Sequence, residues 1–131
     1  METITLGDVE LTRVFESRRV ALPREMVFPD RDPKLWHAHS HWLAPDYWDP
    51  AEDTMFTSVQ TWLLRSEGAT ILVDTGIGNG KDRPGMPVFH QLNSDYLENL
   101  AAAGVRPADV DLVVITHVHG DHVGWNTYWS D

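Results

Sequence analysis

The chain has 131 residues, 20 acidic and 10 basic, for a formal charge of −10 at pH 7; 42% hydrophobic and 23% charged residues describe a folded domain with a core, not a disordered chain. An acidic balance excludes a nucleic-acid binder that follows phosphates with a basic stripe, and the lack of cysteine excludes disulfide scaffolds, thiolate metal sites and a cysteine nucleophile. No run approaches the roughly 18 apolar residues of a membrane span, and Met1-Glu2-Thr3-Ile4-Thr5 lacks the basic start and apolar run of a signal peptide, so the cytoplasm is the expected compartment and no membrane partner is expected.

In residues 3–15, Ile4, Leu6, Val9, Leu11 and Val14 around Gly7-Asp8 predict a β-hairpin. Residues 16–53 hold five of the eight prolines (Pro23, Pro29, Pro33, Pro45, Pro50), a density that predicts an irregular insertion with one short helix near 34–43. Three tryptophans and three histidines of this segment (Trp36, Trp42, Trp48; His37, His39, His41) fit either a polar–aromatic stretch, a metal site or a substrate-facing loop. Regular structure returns with a strand over 56–65, a turn at Glu67-Gly68 and a partner strand over 69–74. Its run Thr70-Ile71-Leu72-Val73 is continuous enough for burial on both faces. Asp74-Thr75-Gly76-Ile77-Gly78-Asn79-Gly80 lacks the Lys-Ser/Thr of a phosphate loop and reads as a flexible turn. Phe89, Leu92, Tyr96 and Leu100 place a helix over 88–103, stopped by Gly104. Leu112-Val113-Val114-Ile115 predicts a second buried strand, and Ser58, Ser66, Ser94 and Ser130 have no nucleophile-elbow context.

That strand runs into Thr116-His117-Val118-His119-Gly120-Asp121-His122-Val123-Gly124-Trp125-Asn126. His117, His119, Asp121 and His122 are nitrogen and oxygen donors of the kind zinc accepts. In extended backbone, residues two apart share a face, so His117, His119 and Asp121 converge. Gly120 permits a turn, and His122 follows in the new direction. The plain alternative is a polar surface loop; four donors within six residues after an apolar strand weigh against it.

His117-x-His119-x-Asp121-His122 resembles the signature of the metallo-β-lactamase-fold metallohydrolases. Leu72-Val73-Asp74-Thr75-Gly76 resembles that family's early aspartate-containing strand end, and the order and spacing of elements agree over about residues 55–126. The resemblance implies an αββα sandwich of which residues 1–131 are a single partial domain, the N-terminal half, with a mixed sheet and one main helix. It implies that His117 and His119 hold one metal and that Asp121 and His122 contribute to a second. Both ions are expected to be zinc, with iron or manganese as alternatives. Asp74 is implied to support the ligand loop by hydrogen bonding. The implied reaction is attack of a zinc-bound hydroxide on an ester, lactone or related bond of a small-molecule substrate, with Asp121 orienting the water or taking its proton.

The family site also takes a third histidine, a bridging aspartate and a further histidine from later strands. His37, His39, His41 and His90 precede the motif and cannot be these ligands by order. The expectation is therefore a chain inactive by itself, completed by the remainder of the domain in a longer chain or by a second polypeptide, with a homodimer also open. Two competing readings are a mononuclear iron dioxygenase of the same fold acting on thiols and a non-catalytic metal-binding half.

Overall fold

The two-residue link Gly7-Asp8 sets the first hairpin. Gly7 takes φ +60°, which costs glycine no side-chain clash, and joins β1 (Thr3–Leu6) to antiparallel β2 (Val9–Pro23) with Leu6 opposite Val9. The computed structural model describes residues 3–128; the readings placed on Met1, Glu2 and Ser130 lie outside them. By its internal contacts the chain divides into two compact units, Met1–Ser17 with Val59–Asp131, and Arg18–Ser58.

The unit Arg18–Ser58 contains α1 (Arg24–Val27), α2 (Pro33–Ala38), α3 (Ser40–Leu43) and β3 (Trp48–Asp49). β3 pairs with the start of β4 (Thr54–Ser66), Trp48 opposite Met55. Asp53 ties the unit together: it accepts from Arg24 Nε at 2.8 Å, Arg24 Nη2 at 2.8 Å and Trp48 Nε1 at 3.0 Å. The Arg24 hydrogen bond outweighs desolvation and, helped by Trp48, holds the Asp53 carboxyl below its ordinary value. Segment 16–53 is more regular than its prolines suggest. β2 continues to Pro23, a strand end, where proline is tolerated. Two short helices replace the single expected one because His39 (φ −108°, ψ 10°) interrupts the helical path between them. The three alternating histidines consequently share no strand face. The His37 ring packs edge-on against Trp48 at 5.0 Å and His39 lies 6.2 Å from Trp42, the arrangement of a polar–aromatic stretch.

In the other unit, β4 buries alternate residues, Val59, Thr61 and Leu63. Glu67 and Gly68 have φ +51° and +83°, the paired left-handed conformations of a tight hairpin link, and lead into antiparallel β5 (Ala69–Val73). The crossover after β5 carries α4 (Tyr96–Ala102) and returns as β6 (Leu112–Val114), parallel to β5 with Val73 opposite Val114. The sheet is mixed, in the order β1-β2-β4-β5-β6 with β3 on β4. Its core is Val14, Leu63, Leu72, Tyr96, Leu100 and Val105. Burial pushes the Tyr96 phenol up to about 12; its oxygen shares a 2.7 Å hydrogen bond with Thr61.

Two expectations are corrected. The helix over 88–103 is a single 3₁₀ turn at Pro87–Phe89 followed, after a loop, by α4 alone. The glycine segment takes the polar groups that a longer helix would need: Gly80 N donates to Leu92 O, Gln91 N to Lys81 O, and Asn79 Oδ1 accepts from Ser94 N. β6 is not buried on both faces; Leu112, Val113 and Val114 are 51, 39 and 42% exposed. β6 ends the strand order, and Val113 lines a cavity shared with Leu97 and Leu100 of α4.

Candidate metal centre

β5 and β6 run parallel, so their carboxyl ends open on the same edge of the sheet, where Asp74 and Thr116 follow the last paired residues Val73 and Val114. Asp74 leaves its strand at φ +58°. The turn directs its carboxylate across to the motif: Oδ1 accepts from Thr116 N at 2.8 Å, and Oδ2 accepts from Thr116 Oγ1 and from His122 Nδ1, each at 2.7 Å. Burial works against ionisation of Asp74, but the bonds from His122 and Thr116 together outweigh it, and the carboxyl is held below its ordinary value.

This carboxylate sets two imidazole tautomers. As an acceptor it requires a proton of His122 on Nδ1, which in the neutral ring leaves the Nε2 lone pair free. The Thr116 hydroxyl proton is committed to Asp74, so its 3.1 Å contact with His117 Nδ1 makes His117 the donor there and frees His117 Nε2 as well. The His117 ring lies 4.6 Å from that of His119 and 3.9 Å from that of His122. Asp121 Oδ2 stands 3.4 Å from His122 Nε2. His122 N donates to His119 O, closing a turn through Gly120 and Asp121. The structure thus brings His117, His119, Asp121 and His122 to one edge with Asp74 behind them. His37, His39 and His41 belong to the other unit.

The donor set fits a divalent metal by chemistry: two imidazoles hold their Nε2 lone pairs free, a third ring stands beside them, and a carboxylate adjoins. Among the described residues no three histidine, aspartate or glutamate side chains are placed so as to hold a metal ion together. A cavity of about 460 Å³ adjoins the donors, lined by Arg83, Met86, Phe89, His119 and Asp121 among others. A larger one, about 580 Å³, lies over Leu72, Tyr96, Leu100 and Trp125 and touches none of the four. Asp74→Asn is expected to weaken divalent-metal binding by about 10–100-fold. An amide has one acceptor oxygen, so it must give up either the Thr116 backbone N–H or both the Thr116 hydroxyl and His122. Competition against a chromophoric chelator measures the change, and equal affinity in the variant would refute this role.

The motif and Asp74 were legible in the sequence; Glu16 and Arg83 were not. Glu16 is 7% exposed, and its carboxylate accepts from Ile77 N, Gly78 N (3.0 Å) and Trp125 Nε1 (2.7 Å). Its signal was register: it continues the buried alternation Thr12, Val14 along β2, a place for an apolar residue. The loop it holds is zipped to the end of the motif: Thr75 N donates to His122 O, Gly124 N to Gly76 O and Trp125 N to Thr75 O. A Cβ on Gly124 would fall on the Ile77 carbonyl, so the two backbones meet only because that residue is glycine.

Comparison with known proteins places these elements in one family. The N-acyl homoserine lactonase AiiB of Agrobacterium fabrum is 33% identical over 86 residues, 55% of this chain and 30% of the lactonase. AiiB of Rhizobium rhizogenes is 34% identical over 80 residues, 50% of this chain and 28% of its own length. Among solved structures, AidC, a dizinc quorum-quenching lactonase in complex with a product, superposes with a TM-score of 0.70 at 19% identity, over 94% of this chain and 37% of AidC. At that identity the likeness is one of fold. The chain therefore spans less than a third of the length of these curated relatives. The family model described as the metallo-beta-lactamase superfamily matches residues 54–131, more than half of the chain and all of positions 117–122, and the chain belongs to that superfamily.

Proposed function

We propose that this chain carries the metal-binding edge of a hydrolase that opens small ester or lactone bonds, with zinc as the metal. The observation that carries the reading is the Asp74–His122 and Thr116–His117 network, which leaves imidazole Nε2 lone pairs free beside Asp121. Metal, when bound, supplies acidification of its water toward a pKa of about 7. His117 and His119 would hold one ion, and Asp121 and His122 would contribute to a second. Asp121, 39% exposed at the mouth of the cavity, would orient the attacking water and take its proton. Asp74 and Thr116 keep the imidazoles in register and do not touch substrate. The lactonase relatives and the Met86 and Phe89 walls beside His119 support a small substrate with an apolar portion. The acidic chain disfavours phosphate-rich polymers.

The four donors do not saturate two ions, so we propose that these residues alone bind zinc without turnover and that the remaining ligands complete the site. Equilibrium dialysis with elemental analysis, paired with hydrolysis assays on a panel of esters and lactones, tests both halves. Zinc bound without turnover is the expected result. A chain that takes up no zinc would sink the metal assignment, and full metal-dependent hydrolysis by these 131 residues would sink the incomplete site.

A further inference from the structure

Arg83 lies outside the motif and is no metal ligand, yet it holds the motif's turn. Its Nη2 donates to two backbone carbonyls, Ile77 O and Gly120 O, each at 2.8 Å. Its Nε is buried without a partner, a cost that the placement accepts to reach both carbonyls. The two are not equivalent. Ile77 belongs to the loop that Glu16 pins through the Ile77 and Gly78 amides. Gly120 lies between His119 and Asp121, so holding its carbonyl fixes the peptide that separates a donor on one side from a donor on the other. A Cβ built on Gly120 would fall on Arg83 Nη1. Gly120 has no positive φ, so what a side chain there would disturb is the guanidinium, which would have to shift, and not the backbone conformation. The Arg83 backbone is itself fixed, its N–H donating to His90 Nδ1 at 2.9 Å.

We propose that Arg83 is a positioning residue for the metal site: it bridges the glycine loop to the Gly120 carbonyl and so presets the His119–Asp121 turn for metal. The inference rests on the zinc reading above. A planar guanidinium offers several donors in a fixed fork, and lysine offers a point charge on a flexible stem. Lysine keeps charge and donors but loses the preset geometry.

The test is zinc affinity of the full chain, measured by competition with a chromophoric chelator, for wild type, Arg83→Met, Arg83→Lys, Gly120→Ala and the double variant Arg83→Met/Gly120→Ala. Thermal unfolding of each metal-free form separates positioning from general stability. The expected result is a loss of about 10–100-fold for Arg83→Met, the range for residues that orient metal ligands. Arg83→Lys should recover part of it, with metal-free unfolding unchanged. Gly120→Ala, which displaces the guanidinium without removing it, should cost as much, and the double variant should cost no more than either single one. Should Arg83→Met not fold, Gly120→Ala and Arg83→Lys carry the test. Wild-type affinity in Arg83→Met or in Gly120→Ala overturns the proposal alone. So does a loss of affinity matched by a loss of metal-free stability. Absence of zinc binding in the wild type overturns both this proposal and the reading beneath it.

Discussion

Replacing His117 and His119 together by alanine is expected to lower zinc affinity by more than about 100-fold, beyond the range produced by losing a hydrogen-bonded support such as Asp74. Their rings lie 4.6 Å apart and contribute two of the four donors at the sheet edge. Neither ring carries the fold: the core lies among Val14, Leu63, Leu72, Tyr96, Leu100 and Val105. The variant should therefore unfold like the metal-free wild type while losing zinc. His39→Ala, in the unit Arg18–Ser58, is the matched control and should leave zinc affinity where it was. Zinc titration of the three proteins decides the matter. Retention of wild-type affinity in the double variant would move the metal site elsewhere.

Glu16→Ala is expected to destabilise the chain by about 3 kcal/mol or more, because it orphans three donors and each buried unsatisfied group costs about 1–3 kcal/mol. The donors are Ile77 N, Gly78 N and the Trp125 indole, all directed at one carboxylate that is 7% exposed. Glu16→Gln keeps one acceptor oxygen and turns an amide NH₂ toward an existing donor, so its loss should be smaller. Urea unfolding at neutral pH gives both values. A Glu16→Ala chain within about 1 kcal/mol of wild type would show that water replaces the carboxylate at little cost. The loop that Glu16 holds is the one zipped to His122 and Trp125, so the alanine variant should also bind zinc less tightly.

The metal-ligating candidates were readable because their chemistry is local. Donor type and close spacing single out His117, His119, Asp121 and His122, although the two-residue period does not reach Asp121, which lies in the turn closed by His122 N and His119 O. The hairpins were readable for the same reason, since Gly7-Asp8 and Glu67-Gly68 stand between runs of strand-forming residues. The helix over 88–103 misled because periodicity reports which residues seek a core and not which partners their amides find. Tyr96 and Leu100 do face the core, but Ser94 N and Gln91 N are bonded to the glycine segment.

The sequence by itself determined the family, through the motif at 117–122 and the strand end at Asp74, and named four candidate donors, because those signals are residue types at short spacing. Only the tertiary structure decided which nitrogen of His122 and of His117 is free for metal, because that follows from Asp74, 48 residues before His122. It also assigned work to Glu16 and Arg83. A charged residue's task depends on the amides and carbonyls that meet it, and here the chain brings them from 61 residues away for Glu16 and 37 for Arg83.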